Sequence, residues 1–238
     1  MFEKPFTKDN LEYYLKELSK EFRKLNGKSM PAEIILIGGA SVILNYGFRE
    51  MTYDMDAIIN ASSAMKDAIN KVGDRFDLPT GWLNTDFKKT TSYTSAIIEH
   101  SEYYKTFSNI VTIRTVRGEY LIAMKLMAGR LYKYDLSDVT GILKEHNKTR
   151  TPISLEQIKK AVCDLYGSYE ALPEKSRLFV EKLINEGRYE ERLSQIRKME
   201  IENKGMLLQF QQQRPGELTR DIVDDIINYA RRGDKPAE

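Results

Sequence analysis

Apolar residues recur with a helical period near the start of the chain. Leu11, Tyr14, Leu15, Leu18 and Phe22 make one stripe, predicting an amphipathic helix over residues 8–26 that Asn26-Gly27 stops. After Pro31, residues 33–38 are nearly all apolar, as in a strand covered on both faces. Residues 40–46 predict a short helix closed by Gly47, and residues 53–60 a second strand. Ser62 or Ser63 is placed to cap a helix running to about Arg75. A third strand is expected over 109–116, broken by Gly118. The helix after it, over about 119–134, carries Leu121, Met124, Leu126, Ala128 and Leu131, and Asp135 opens the next. From Pro152 onward the pattern is helical, in segments near 154–168, 174–187, 189–212 and 217–231. The expected class is α/β (α+β): a small mixed sheet with flanking helices over residues 1–150, then an all-helical C-terminal region over 151–238.

Composition narrows the picture only a little. The 238 residues are 41% hydrophobic and 30% charged, as in ordinary globular proteins, and the net charge of +2 neither demands nor excludes a nucleic-acid partner. A single cysteine, Cys163, excludes an intrachain disulfide and reads as a buried structural thiol in an apolar helical pattern. His100 and His146 are far apart and lack cysteine company, so a zinc site is not expected. No apolar segment approaches the ~20 residues that cross a bilayer. Met1-Phe-Glu-Lys-Pro lacks the apolar core of a signal peptide, so a cytoplasmic protein without a membrane partner is expected.

Candidate chemistry concentrates between residues 34 and 60. The apolar run ends in Gly38-Gly39, with Ser41 close by, where a strand turns into a helix. Such a turn needs glycine for steric reasons, and its backbone N–H groups also suit a phosphate. Asp54 and Asp56 follow on the second predicted strand. Residues i and i+2 of a strand share a face with Cα atoms roughly 7 Å apart, so the two carboxylates repel unless a cation sits between them. Together these features point to metal-assisted phosphoryl or nucleotidyl chemistry. Trp82, in the turn-rich loop over residues 78–86, reads as an anchor, with base stacking as the alternative.

Gly38-Gly39 followed by Arg49-Glu-Met-Thr52-Tyr-Asp54-Met-Asp56 resembles the signature of the nucleotidyltransferase (polymerase beta-like) superfamily. The Arg-x-x-Thr-x-Asp-x-Asp form, Trp82-Leu83-Asn84, and the later run from Leu121 to Asp138 resemble the branch of AbiEii-type toxins and related small nucleotidyltransferases. The resemblance spans roughly residues 33–145 and implies the nucleotidyltransferase fold. It implies that Gly38, Gly39 and Ser41 face the phosphates of an NTP and that Asp54 and Asp56 ligate Mg²⁺ or Mn²⁺. It further implies that Lys125 neutralises phosphate charge and that Asp138 sits near the metal or orients the acceptor. Arg49 either contacts phosphate or pins the loop ahead of Asp54. Without the resemblance, Lys125 reads as a snorkelling helix lysine, and Asp135 as a helix cap.

The implied activity is transfer of an NMP to an acceptor, which is RNA, tRNA, protein or a small molecule, as in a toxin–antitoxin component. The C-terminal helices would bind that acceptor, a partner protein or a second copy. The alternative is a catalytically inactive nucleotidyltransferase fold with a binding or regulatory role. Many active members place a third carboxylate on the strand after Asp-x-Asp, whereas Asn109–Thr115 has no acid. Glu119 and Asp138 are the nearest substitutes.

Overall fold

Helix α1 (Lys8–Asn26) forms where its apolar stripe predicts, opened by a Thr7–Asn10 capping box and closed at Gly27. This is a computed structural model, describing residues 5–28, 30–219 and 222–232; Met1–Lys4, read above for a signal peptide, lie outside them. The stripe packs on α3 (Ala64–Phe76) and on one face of a four-stranded sheet.

That sheet has the order β2-β1-β4-β3. Strand β1 (Ala32–Leu36) pairs antiparallel with β2 (Ala57–Asn60) and parallel with β4 (Val111–Val116). Alternate residues of the apolar run enter different cores. Ile34 and Leu36 pack under α1 and α3, while Ile35 and Ile37 pack under α4 (Gly118–Ala128). Burial on both faces explains why the run is continuous rather than alternating.

Two features of the sheet differ from expectation. An additional edge strand, β3 (Ser101–Phe107), pairs antiparallel with β4. Asn109 is not in a strand but shares the β3–β4 turn with Ser108, both at φ 53. In addition, β2 begins at Ala57, so Asp54 and Asp56 precede it rather than lying on it.

The helical pattern also shifts in one place. Helix α4 stops at Gly129, which adopts φ 52, and a turn-rich connection leads into α5 (Asp135–Lys148) instead of one helix reaching residue 134. Helix α2 (Gly38–Asn45) lies in the first half of the chain, and α6 (Leu155–Tyr166), α7 (Glu174–Glu186), α8 (Tyr189–Gln213) and α9 (Val223–Arg232) in the second. Helices α6 and α7 join α4 and β1 in one hydrophobic cluster running from Ile35 to Leu183, so the packing is continuous across residues 151–152. Cys163 lies on the outer face of α6 and is exposed, correcting the expectation of a buried thiol. Its neighbours Val162 and Leu165 occupy the buried stripe instead. Among the described residues, no helix is long and apolar enough to cross a membrane.

Candidate functional site

A cleft of about 480 Å³ opens between the start of α2, the segment before β2, the α4–α5 connection and α8. Its floor is fixed by backbone bonds at both ends of the Asp54–Asp56 segment. Thr52 exchanges two hydrogen bonds with Phe6, at 2.7 and 2.9 Å. The Asp56 carbonyl accepts the Ile37 N–H at 2.9 Å, while Asn84 receives Ala57 N–H and donates to Met55 O. Met55 between the two acids is fully buried. Both acids line the cleft. The proton affinity of Asp56 is raised, first by burial and then by the charge of Asp54, with Lys133, Lys125 and Arg130 opposing.

Both glycines are required, for different reasons. Gly38 has φ 57, a left-handed conformation that side chains resist, and a Cβ there would stand 3.9 Å from Asp56 Oδ2. The acid is therefore beside the first turn of α2. A Cβ on Gly39 would come within 2.5 Å of Thr52 Oγ1 and 2.8 Å of Arg49 Nη2. No side chain caps α2 at Ile37, so its opening N–H groups are suited to an anion. Ser41 does not share this position. It is fully buried, and its hydroxyl accepts the Val116 N–H at 3.0 Å, which takes it out of the cleft.

Behind the floor runs a ladder of alternating charges. Arg49 donates to Asp138 at 2.5 Å; Lys125 Nζ lies 2.8 Å from Asp138 and 3.0 Å from Asp135; Arg130 Nε donates to Asp135 at 2.7 Å. Burial disfavours the Lys125 ammonium, but Asp138 and Asp135 outweigh it and hold its pKa above the ordinary lysine value. Burial likewise opposes the Asp135 carboxylate, and Lys125 and Arg130 overcome it, bringing its pKa down to about 2. Asp135 is more than a cap: Tyr134 holds the cap position, and Asp135 is completely buried between two cations. Asp138 is 1% exposed and does not line the cleft. Arg49 also donates to Met51 O at 3.0 Å and to Thr52 Oγ1 at 3.3 Å, so it pins the loop ahead of Asp54.

Residues 13–197, more than half of the chain, match a family model described as "Nucleotidyltransferase of unknown function (DUF6036)". The chain belongs to this family. The match does not reach the AbiEii-type branch, and comparisons with curated proteins and with solved structures found nothing that matches.

In this nucleotidyltransferase family member, the cleft brings together Gly38, Gly39, Arg49, Asp54, Asp56 and Lys125. Ser41 and Asp138 are left out of its lining. Glu119 lies apart, with Arg117 Nε 3.8 Å away. Among the described residues, no three His, Cys, Asp or Glu side chains form a group that could hold a metal ion. Trp82 is 3% exposed and donates Nε1–H to Ile69 O at 3.0 Å, which makes it a loop anchor.

The far wall was not foreseen. Glu200, Ile201, Lys204, Leu208 and Gln211 of α8 all face the cleft. Glu200 is 2% exposed and accepts the N–H groups of Leu136 and Ser137 at 3.0 and 3.2 Å, covering the start of α5. Burial pushes its pKa up to about 7, with Asp138 adding to the rise and the donors from Ser137 and Leu136 opposing it. Its sequence signal lay in the stripe Leu193, Ile196, Glu200, Asn203, Leu207, where two polar residues occupy buried positions.

Proposed function

We propose that the protein moves an NMP from an NTP to an acceptor, using the floor of this cleft. The observation that carries the reading is the meeting of Asp54 and Asp56 with the uncapped start of α2. Two hard carboxylate donors suit Mg²⁺ or Mn²⁺, which takes few protein ligands and completes its shell with substrate phosphates and water. Burial, and after it the charge of Asp54, raise the proton affinity of Asp56, so a cation between the two carboxylates would favour their ionised form. The bound ion would supply Lewis-acid polarisation of the phosphates.

The chain's own groups do the rest. N–H groups of Gly38 and Gly39 would receive phosphate oxygens, and Lys125 would stabilise negative charge on the leaving pyrophosphate. The acceptor oxygen would bond to the α-phosphorus, its proton passing to water, as the bond from that phosphorus to the bridging oxygen breaks and pyrophosphate leaves. Asp138 would act by holding Arg49 and Lys125, since it lies off the cleft.

The test is incubation with each α-labelled NTP, Mg²⁺ or Mn²⁺, and cell extract, asking whether RNA, protein or a small molecule gains label. Labelling that disappears in the Asp54→Asn/Asp56→Asn double variant, with a Tm no lower than before, supports the assignment; undiminished labelling in that variant refutes it. Growth arrest on expression, relieved by Asp54→Ala, would mark a toxin.

A second reading follows from the missing third carboxylate: a nucleotidyltransferase fold that binds nucleotide without turnover. Tight metal-dependent NTP binding with no pyrophosphate release across all acceptors would favour it.

A further inference from the structure

Helix α8 runs on for sixteen residues past the family match, which ends at residue 197, and this second half forms one wall of the cleft. Three observations set it apart from an ordinary helix surface. Its cleft-facing residues Ile201, Lys204, Leu208 and Gln211 follow one another at helical spacing, so they form a single face. Ile201 and Leu208 are 60% and 50% exposed, large apolar side chains without cover. Beside them, Glu200 Oε2 is buried with no hydrogen-bond partner among the described residues, although Oε1 accepts two backbone hydrogen bonds. A buried polar oxygen left unpaired is costly, a cost that a water, an ion or a donor group of a bound ligand would relieve.

The cleft is also lined by half-exposed Tyr53, with Lys204 Nζ 5.9 Å from its ring centre, and Tyr134, with the Arg49 guanidinium 5.0 Å from its own. Aromatic and apolar walls with one oriented polar group are what a planar heterocycle needs. The floor, by contrast, offers charges and backbone N–H groups, which suit phosphates and carry no information about a base.

We propose that the segment of α8 from Glu200 to Gln211 is the nucleoside-binding wall of this cleft: Ile201 and Leu208 cover the base, and Glu200 Oε2 hydrogen-bonds the nucleoside. The proposal rests on the reading of the floor as a triphosphate site. It assigns recognition of the nucleoside to residues outside the family-matched segment, whereas the phosphates meet residues within it.

The experiment compares the affinity of the full chain for Mg²⁺ complexes of ATP, GTP, CTP and UTP with its affinity for Mg²⁺ tripolyphosphate, by calorimetry. At least one NTP is expected to bind about tenfold or more tightly than tripolyphosphate. Glu200→Ala, and separately the double variant Ile201→Ser/Leu208→Ser, are expected to weaken that NTP about tenfold, roughly the worth of one hydrogen bond or one covered base. Tripolyphosphate affinity stays unchanged, which also reports an intact fold. The double variant alters only exposed side chains, so it carries the test should Glu200→Ala fail to fold.

The wall assignment is overturned if no NTP binds more tightly than tripolyphosphate, if the variants leave NTP affinity unchanged, or if they weaken both ligands equally. Failure of the floor reads differently. In that case neither ligand binds, or Asp54→Asn/Asp56→Asn leaves both affinities intact.

Discussion

Replacing Glu200 by Gln should stabilise the protein at neutral and higher pH and do almost nothing at pH 4. The buried carboxyl has its pKa raised from the ordinary 4.5 to about 7. The folded state therefore binds this proton more tightly than the unfolded chain does. As pH rises through 4.5 the unfolded chain releases the proton first, and stability declines until the folded carboxyl has also ionised, above about pH 7. A rise of ~2.5 pH units at ~1.4 kcal/mol each is a cost of about 3.5 kcal/mol, complete above neutrality.

Glutamine does not titrate. Its Oε1 still accepts the Leu136 and Ser137 N–H groups, and its amide replaces the protonated Oε2. At pH 4 the two proteins should thus unfold alike. At pH 8 the variant should be more stable by about 3.5 kcal/mol, or roughly 7–14 °C in Tm for a chain of this size. Urea and thermal unfolding of both proteins at half-unit steps from pH 4 to 8.5 measures the difference directly, because all other titrating groups cancel. A difference that is flat with pH, or a variant less stable at pH 8, would refute the argument.

Other perturbations probe the floor and the ladder. Gly39→Ala places a methyl group against Thr52 and Arg49 and should cost about 1–3 kcal/mol in thermal unfolding while weakening metal-dependent nucleotide binding. Lys125→Ala leaves Asp135 and Asp138 buried with one cation each and should cost about 3–5 kcal/mol; a loss under ~1 kcal/mol in urea unfolding would contradict the ladder. Asp135 has its pKa lowered to about 2, so the stability it contributes is present above its ordinary 3.8 and is lost as pH falls from there through about 2. Acid titration of Asp135→Asn should lack that part of the decline, on the order of 2 kcal/mol.

What the sequence made legible was whatever depends on local pattern. The α1 stripe, the apolar run of β1 and the helix α6 with its Ser154–Gln157 capping box each encode their own ends. Strand β3 was hidden because it is a sheet edge: from Ser101 to Phe107 only the two terminal residues are buried, so no alternation marks it. Asp54 and Asp56 were legible as a pair, and the strand beneath them was placed too early because Thr52 pairs with Phe6 rather than with β1. Ser41, Asp135 and Glu200 share another difficulty. Each is polar, each is buried, and each partner lies at least five residues away in sequence, Val116 and Leu136 much farther. The roles of Ser41 and Glu200 follow from tertiary contacts that no window of the sequence contains, and that of Asp135 from a turn that folds it back onto Arg130 and Lys125.

The charge ladder has a dynamic consequence. Arg49, Lys125 and Arg130 are clasped by Asp138 and Asp135 independently of any occupant of the cleft. The rotamer freedom of these long side chains is surrendered during folding, before an anion arrives. The floor is a rigid socket rather than a closing jaw. Anion binding there should show little ordering of these three side chains and on-rates free of a slow conformational step.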